Sequence, residues 1–441
     1  VGHRISQARG VTEHYDEHYV RSVTALGDTH EVVTSQAIFA RNNIKLVEKG
    51  VRVNSALRDR LVQHKLVPNL EQCLTVEGGV TQAELRDRAR QVLDTEPHFQ
   101  LIRAALPGVE RLLRAFYAML LLPPLAFKLT VAREQRPEIF GHSVQMALIS
   151  LYLGIKSRLP DHELSTIAAA AMFHDLGTLH IDPELLRPGR LLPDEERRHL
   201  YAHPVTAYLI LQKYPQYHPE VSTPVFEHHE RLDGSGYPRG LKGDEISFNG
   251  QILMLAEVVT TLFEQSWQTH GASRLAVVLK MNQRKLNRQL IDHLVVLLRG
   301  GQSADTGSQE AVSAEAVVAQ LDQLAEAFRC WDGAYRKCRV DTPSLAGAPL
   351  IEFVNRRVTE LERALLETGF HPDELAALTA GIEDDAIALA ELRLMARESR
   401  WQLVEIMHEV RRRWQELAGN DAAGRQIVED WLARSEGILQ G

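Results

Sequence analysis

Thiols are scarce in this chain. Cys73, Cys330 and Cys338 are the three cysteines among 441 residues, and none has the close spacing of a metal-binding pair. A disulfide-stapled scaffold is therefore not expected, and a reducing, cytoplasmic setting is. Positive charge is also in deficit: the formal net charge of -8 leaves no basic field of the kind that coats nucleic acid. The opening residues, VGHRISQARGVTEHYDEHYV, are polar and lack the apolar centre of a secretion signal. Long hydrophobic runs are missing too. The most apolar tract, Ala115 to Ala132, is broken by Pro123-Pro124 and carries Lys128, which would be expensive in a bilayer. It is expected to be a buried helical hairpin, with no membrane span.

What is present suits a globular protein able to bury a sizeable core: 44% hydrophobic and 24% charged residues, with length for two or three domains. The expected fold is mainly α, with a small α+β module at 1–100. There, Glu31 to Ala40 and IKLVEKGVRV read as two strands of a hairpin turned at Asn42-Asn43, followed by a helix, SALRDRLVQHKL, with Leu57, Leu61 and Val62 on one face. Residues 101–298 read as a helical domain, interrupted by a polar insertion from Asp182 to Asn249. Residues 299–316, including GGQSADTGSQEAVSAE, read as a linker by composition. Residues 317–441 read as a C-terminal helical bundle. Its stripe of Leu350, Val354, Val358, Leu361 and Leu365 suits bundle core or a dimer interface, and one long helix is expected over Ile382 to Trp414.

The chemistry-bearing residues lie in the middle region. His174-Asp175 follows an apolar, helix-forming run, LSTIAAAAMF, and so falls near a helix C-terminus. Alone, such a pair is as readily a structural contact. Glu138 and His142 are spaced i, i+4, so one helix face can turn both toward one ion or expose both to water. His203 precedes Pro204, which suits a first helical turn. His228 and His229 are adjacent, and Glu257 sits in the apolar run QILMLAEVVTTL, where an unpaired carboxylate would need a cation or a proton. Five histidines with carboxylates and no thiolate suit iron, manganese or zinc.

These landmarks, in this order, resemble the HD-GYP domain, a branch of the HD phosphohydrolases. His174-Asp175 matches the name-giving HD, HHERLDGSGYP matches the second signature, and the intervening LHIDPELLRPGRLLPDEERRHLYAHP keeps the order of landmarks. The resemblance implies a helical domain holding two or three divalent metal ions, iron or manganese, and hydrolysing cyclic di-GMP or a related nucleotide. Carried over position by position, the metal ligands are Glu138, His142, His174, Asp175, His203, His228, His229 and Glu257. Asp175 would be the bridging carboxylate, and it and His174 the catalytic pair. Arg231 and Tyr237 stand on the substrate side. The expected partners are a cyclic dinucleotide, which the resemblance implies, a signalling protein at the GYP loop or the C-terminal bundle, and, from the C-terminal stripe, a second copy of the chain in a homodimer.

Three positions depart from the family pattern. Thr178 stands where the HDxGK motif has lysine, Glu257 where aspartate is usual, and Ser266 near where a phosphate-contacting arginine falls. The alternative expectation is thus a degenerate module that binds metal, nucleotide or a partner protein with little turnover.

Overall fold

The computed structural model describes residues 15–187, 192–266, 271–301, 314–342, 348–367, 386–418 and 422–440. Helix α1 (Tyr15–Thr29) leads into five short strands, β1 (Val32–Thr34), β2 (Ile38–Ala40), β3 (Lys45–Val47), β4 (Leu66–Val67) and β5 (Leu74–Val76), with α2 (Arg58–Val62) and α3 (Leu70–Cys73) between them. The expected turn is present: Asn43 adopts φ 65°, and β2 and β3 pair antiparallel around it. The expected first strand, however, is two. At Ser35 the chain leaves its line, the Ser35 amide donates to Cys73 O at 2.7 Å, and β1 pairs with β5 while β2 pairs with β3 and β4. The helix after Asn54 is also shorter than expected. Its last residue, Leu66, joins β4 opposite Ala40, and Leu61 alone of the expected face is fully buried.

The helical part follows as α4 (Gln82–Thr95), α5 (Pro97–Ala105), α6 (Glu110–Ala118), α7 (Pro123–Gln135), α8 (Pro137–Lys156) and α9 (Asp161–Phe173). A 3-10 turn (Leu176–His180) then precedes α10 (Asp194–Leu200), α11 (His203–Leu211), α12 (Pro219–Glu227) and α13 (Phe248–Ser266). The apolar tract forms the expected bent pair, α6 and α7 meeting at 117° across the proline break. Lys128 is fully buried, yet it is not bare: its ammonium lies 3.1 Å from His180 Nε2, 3.6 Å from Glu71 Oε2 and 3.5 Å from the centre of the Tyr19 ring. Such pairing is what a buried charge requires. Helix α8 is the one helix among the described residues long and apolar enough to cross a membrane, but 72% of that stretch is buried within the protein.

Helix α9 explains much of the packing. Asp161 and Glu163 favour its first turn electrostatically, and every residue from Ile167 to Phe173 is buried, so this helix is internal by composition. It packs against α6, α8 and α12. Gly177 then permits a close approach: a Cβ there would lie 2.1 Å from the carbonyl oxygen of His203. That contact seats the 3-10 turn directly on the start of α11.

The remaining helices are α14 (Gly271–Met281), α15 (Arg288–Gly301), α16 (Ala314–Asp341), α17 (Pro349–Glu367), α18 (Ala386–Arg412), α19 (Trp414–Leu417) and α20 (Ala422–Gln440). The chain divides into two compact units, 1–264 with 284–300, and 265–283 with 301–441. This division differs from the sequence boundaries in two ways. Helix α1 packs on α7 and on the 3-10 turn, so 1–100 is continuous with the helical domain; α14 packs on α18, so it belongs with the C-terminal helices. Of the expected linker, residues 302–313 lie outside the described residues, as do 382–385 of the expected long helix. In the second unit the predicted stripe is core, with Leu350, Val354, Val358, Leu361 and Leu365 all buried. Trp331 and Trp431 meet edge-on there at 5.2 Å.

Candidate metal centre

Four helix ends and two helix interiors deliver the histidines and acids. His174 caps the C-terminus of α9, and Asp175 caps the 3-10 turn. His203 opens α11 with Pro204 behind it, and His228 caps α12, followed at once by His229. His142 and Glu257 lie within α8 and α13. The structure brings seven of the eight expected ligands together, in two groups whose donor atoms lie within 4.8 Å of one another: His142, His174 and Asp175, and His203, His228 and His229. Glu257 joins the first group, its Oε2 at 3.0 Å from His142 Nε2 and 3.6 Å from His174 Nε2.

Asp175 stands between the groups. Its Oδ2 is 3.5 Å from His174 Nε2, while its Oδ1 is 3.3 Å from His203 Nε2 and 3.9 Å from His228 Nε2. The 3-10 turn holds it there: the Thr178 amide and hydroxyl both donate to the Asp175 carbonyl, at 2.9 and 2.5 Å.

The ring orientations carry the chemical meaning. The Nδ1 atoms of His174, His203 and His228 lie 2.7, 2.6 and 2.7 Å from the carbonyl oxygens of Ala171, Leu200 and Val225. A carbonyl can only accept, so each Nδ1 carries a proton and each ring turns its Nε2 inward. His203 Nε2 lies 3.2 Å from His228 Nε2 and 3.0 Å from His229 Nε2. His174 Nε2 is buried with no hydrogen-bond partner among the described residues. Lone pairs converging in a buried space call for a cation or a proton between them. Separations near 3 Å also suit neighbouring ligands of one ion with bonds of about 2.0–2.2 Å. Nitrogen and carboxylate donors, with imidazoles anchored through their outer nitrogen, fit a divalent transition metal.

Electrostatics agree. Burial pushes His228 down to about 3, with His174 and His203 adding to the effect, and burial likewise lowers His174 and, strongly, His229. These rings are neutral at physiological pH, the form that binds metal. His142 behaves oppositely. Burial disfavours its charge, but Glu257 at Nε2 and Glu264 at Nδ1, each 3.0 Å away, raise it well above the usual value. For Glu257, burial is likewise outweighed by His142, and its carboxyl is held well below the usual range.

Glu138 is the expected ligand that stands apart. Its carboxylate is 65% exposed and accepts from Arg136 Nε at 2.9 Å, outside the two donor groups. Glu264 is a contact that sequence reading missed; its signal was the seven-residue spacing from Glu257, which puts both acids on one face of α13.

The glycine-rich loop is built from two further acids. Glu230 is fully buried and accepts from the amides of Arg239 and Leu241 at 2.7 and 3.0 Å. Glu227, also buried, accepts from Arg239 Nη2 at 2.7 Å and from the Ser247 amide and hydroxyl. Gly236 is obligatory here, since a Cβ would lie 2.3 Å from Glu230 Cα. The loop lays the Tyr237 ring on His229, stacked at 4.7 Å, and Tyr201 packs against the same Tyr237 ring at 4.3 Å. Burial keeps the Tyr237 hydroxyl protonated. Arg231 donates to Glu230 O at 2.8 Å; burial lowers its guanidinium from the usual value, against the opposing pull of the Glu257 and Asp233 carboxylates.

Residues 129–292 match the family described as HD domain. Among curated proteins, 3'3'-cGAMP-specific phosphodiesterase 3 of Vibrio cholerae serotype O1 is 33% identical over 133 residues, covering 30% of this chain and 28% of that protein. The cyclic di-GMP phosphodiesterase response regulator RpfG of Xanthomonas campestris pv. campestris is 34% identical over 149 residues, or 32% and 38% of the two chains. A solved structure, Bd1817, a HDG"Y"P protein from Bdellovibrio bacteriovorus, aligns with a TM-score of 0.35 and 16% identity over 63% of this chain and 98% of that one. Residues 129–292 thus match an HD domain, and the two curated relatives are named as phosphodiesterases of cyclic dinucleotides. The matches span 28% and 38% of the length of the two curated relatives.

Proposed function

We propose that the domain holds two divalent ions, iron or manganese, across Asp175 and hydrolyses a phosphodiester of cyclic di-GMP or 3'3'-cGAMP in a cytoplasmic signalling role. The observation that carries this reading is the pair of donor groups with one Asp175 oxygen facing each. His142, His174, Glu257 and Asp175 would hold one ion; His203, His228, His229 and Asp175 the other. Such ions, when bound, make water a nucleophile at neutral pH and offset charge on the phosphate.

The chain's own residues supply the rest. His174, His203 and His228 form a buried floor, while Asp175, His229 and Glu257 keep partial exposure and so face the side from which substrate enters. Main-chain carbonyls and Glu264 fix the rings, so little reorganisation is needed during reaction. Arg231 supplies positive charge on the substrate side, and Tyr237, packed against His229 and Tyr201, lines it. The test is product analysis after incubating the Mn2+- or Fe2+-reconstituted chain with cyclic di-GMP and with 3'3'-cGAMP. Linear or mononucleotide product that disappears in Asp175→Asn supports the reading, and loss of neither nucleotide refutes it.

A second reading, nucleotide binding with little turnover, is favoured by one feature. Thr178 is 3% exposed and spends its hydroxyl on the Asp175 carbonyl, so that wall offers no cation to a phosphate. Nucleotide that binds the metal-loaded chain, stays intact and is hydrolysed by Thr178→Lys would establish it.

A further inference from the structure

Three of the imidazoles in the centre share one anchoring device. His174, His203 and His228 each donate Nδ1–H to the carbonyl three residues earlier, at 2.6–2.7 Å. Each sits at a helix terminus, where such carbonyls can be free of the helical ladder. His142 cannot use that device. It lies in the second turn of α8, whose carbonyls are committed to the helix.

Another element meets its outer nitrogen. Glu264 Oε1 lies 3.0 Å from His142 Nδ1, while Glu257 Oε2 lies 3.0 Å from Nε2. Both acids come from α13, seven residues apart and so on one face. Between them Thr261 donates its hydroxyl to Glu257 Oε1 at 3.3 Å. One stripe of α13 thus clasps His142 at both nitrogens. It falls within the stretch, Glu257 to Ser266, where this chain departs from the HD-GYP pattern.

We infer that Glu264 is the positioning residue for His142: it holds the Nδ1 proton, turns Nε2 toward the metal, and so sets the affinity of the site shared by His142, His174, Asp175 and Glu257. Carboxylates behind metal-binding imidazoles act in this way, and their removal typically costs 10–100-fold in metal affinity. The inference rests on the metal-centre reading and concerns a residue that is itself 39% exposed.

The experiment is chelator competition with Mn2+ alone on the full chain, for the parent, Glu264→Ala and Glu264→Gln, with urea unfolding of each metal-free protein alongside. One Mn2+ should bind about 10–100-fold more weakly in Glu264→Ala, and Glu264→Gln, which keeps an acceptor oxygen, should recover much of the loss. The other Mn2+ should keep its affinity in all three, and unfolding should be nearly unchanged. In Zn2+-loaded protein with 15N-labelled histidine, Glu264→Ala should also lose the single Nδ1-protonated signature of His142. Unchanged affinity and signature in Glu264→Ala overturn the inference while leaving the metal centre standing. No Mn2+ uptake by the parent overturns both.

Discussion

Lowering the pH of the metal-free protein from 7 to 5 should destabilise it, and the structure sets the slope. His228 is fully buried, and its neighbours and burial hold it near 3 against an ordinary 6.5. Below pH 6.5 the unfolded chain therefore binds a proton there that the folded chain refuses. The stability this contributes is present above pH 6.5 and is lost as pH falls from 6.5 toward 3. One such histidine costs about 1.4 kcal/mol per pH unit, or about 2 kcal/mol by pH 5. His174 and His229 are shifted the same way, and so is His98, pushed down to about 4 outside the site. His142, raised well above 6.5, is protonated in both states below pH 6.5 and adds no slope there. Asp175 and Glu257 start from 3.8 and 4.5, so they contribute mainly below pH 5. The window from 6.5 to 5 thus leaves these two carboxylates largely out. Urea unfolding at half-unit pH steps measures it, and His228→Gln should flatten the slope by about 1.4 kcal/mol per pH unit relative to the parent. Equal slopes for parent and variant would refute the claim that His228 is folded away in its neutral form.

Three more outcomes follow from particular contacts. Gly236→Ala forces a Cβ against Glu230 Cα and should cost about 1–3 kcal/mol in urea unfolding; a neutral result would show that the loop can yield. Mn2+ affinity should rise with pH between 6.5 and 8, because His142 must give up its proton to bind, and calorimetry in buffers of different ionisation enthalpy should detect that proton leaving. Leu365→Ala, at a fully buried stripe position, should destabilise the C-terminal helices by about 2–5 kcal/mol, while Mn2+ uptake stays at the parent level.

The centre was legible in the sequence because its ligands occur where local signals are strong. The apolar helix that carries the run of alanines ends at His174, Pro204 marks the start of α11, and two adjacent histidines close α12. A helix end frees main-chain carbonyls, so a histidine there comes with its own anchor. The C-terminal stripe was legible for a different reason: a 3.6-residue period survives whatever it packs against. Glu264 was not, since local pattern cannot say which face of α13 turns toward α8. The spacing of Glu138 from His142 fits both a ligand and an exposed pair, and local pattern did not reveal its contact with Arg136, two residues away. The break at Ser35 depended on a partner strand some forty residues distant. Helix α14 looked continuous with the domain before it, and only the packing of its apolar face on α18 assigns it elsewhere.

The most direct test of the central claim is anomalous diffraction at the manganese edge from crystals of the Mn2+-loaded chain. The account predicts two peaks flanking Asp175, one within bonding distance of His142, His174 and Glu257, the other of His203, His228 and His229. Density that shows the rings in place with no anomalous peak among them would contradict it.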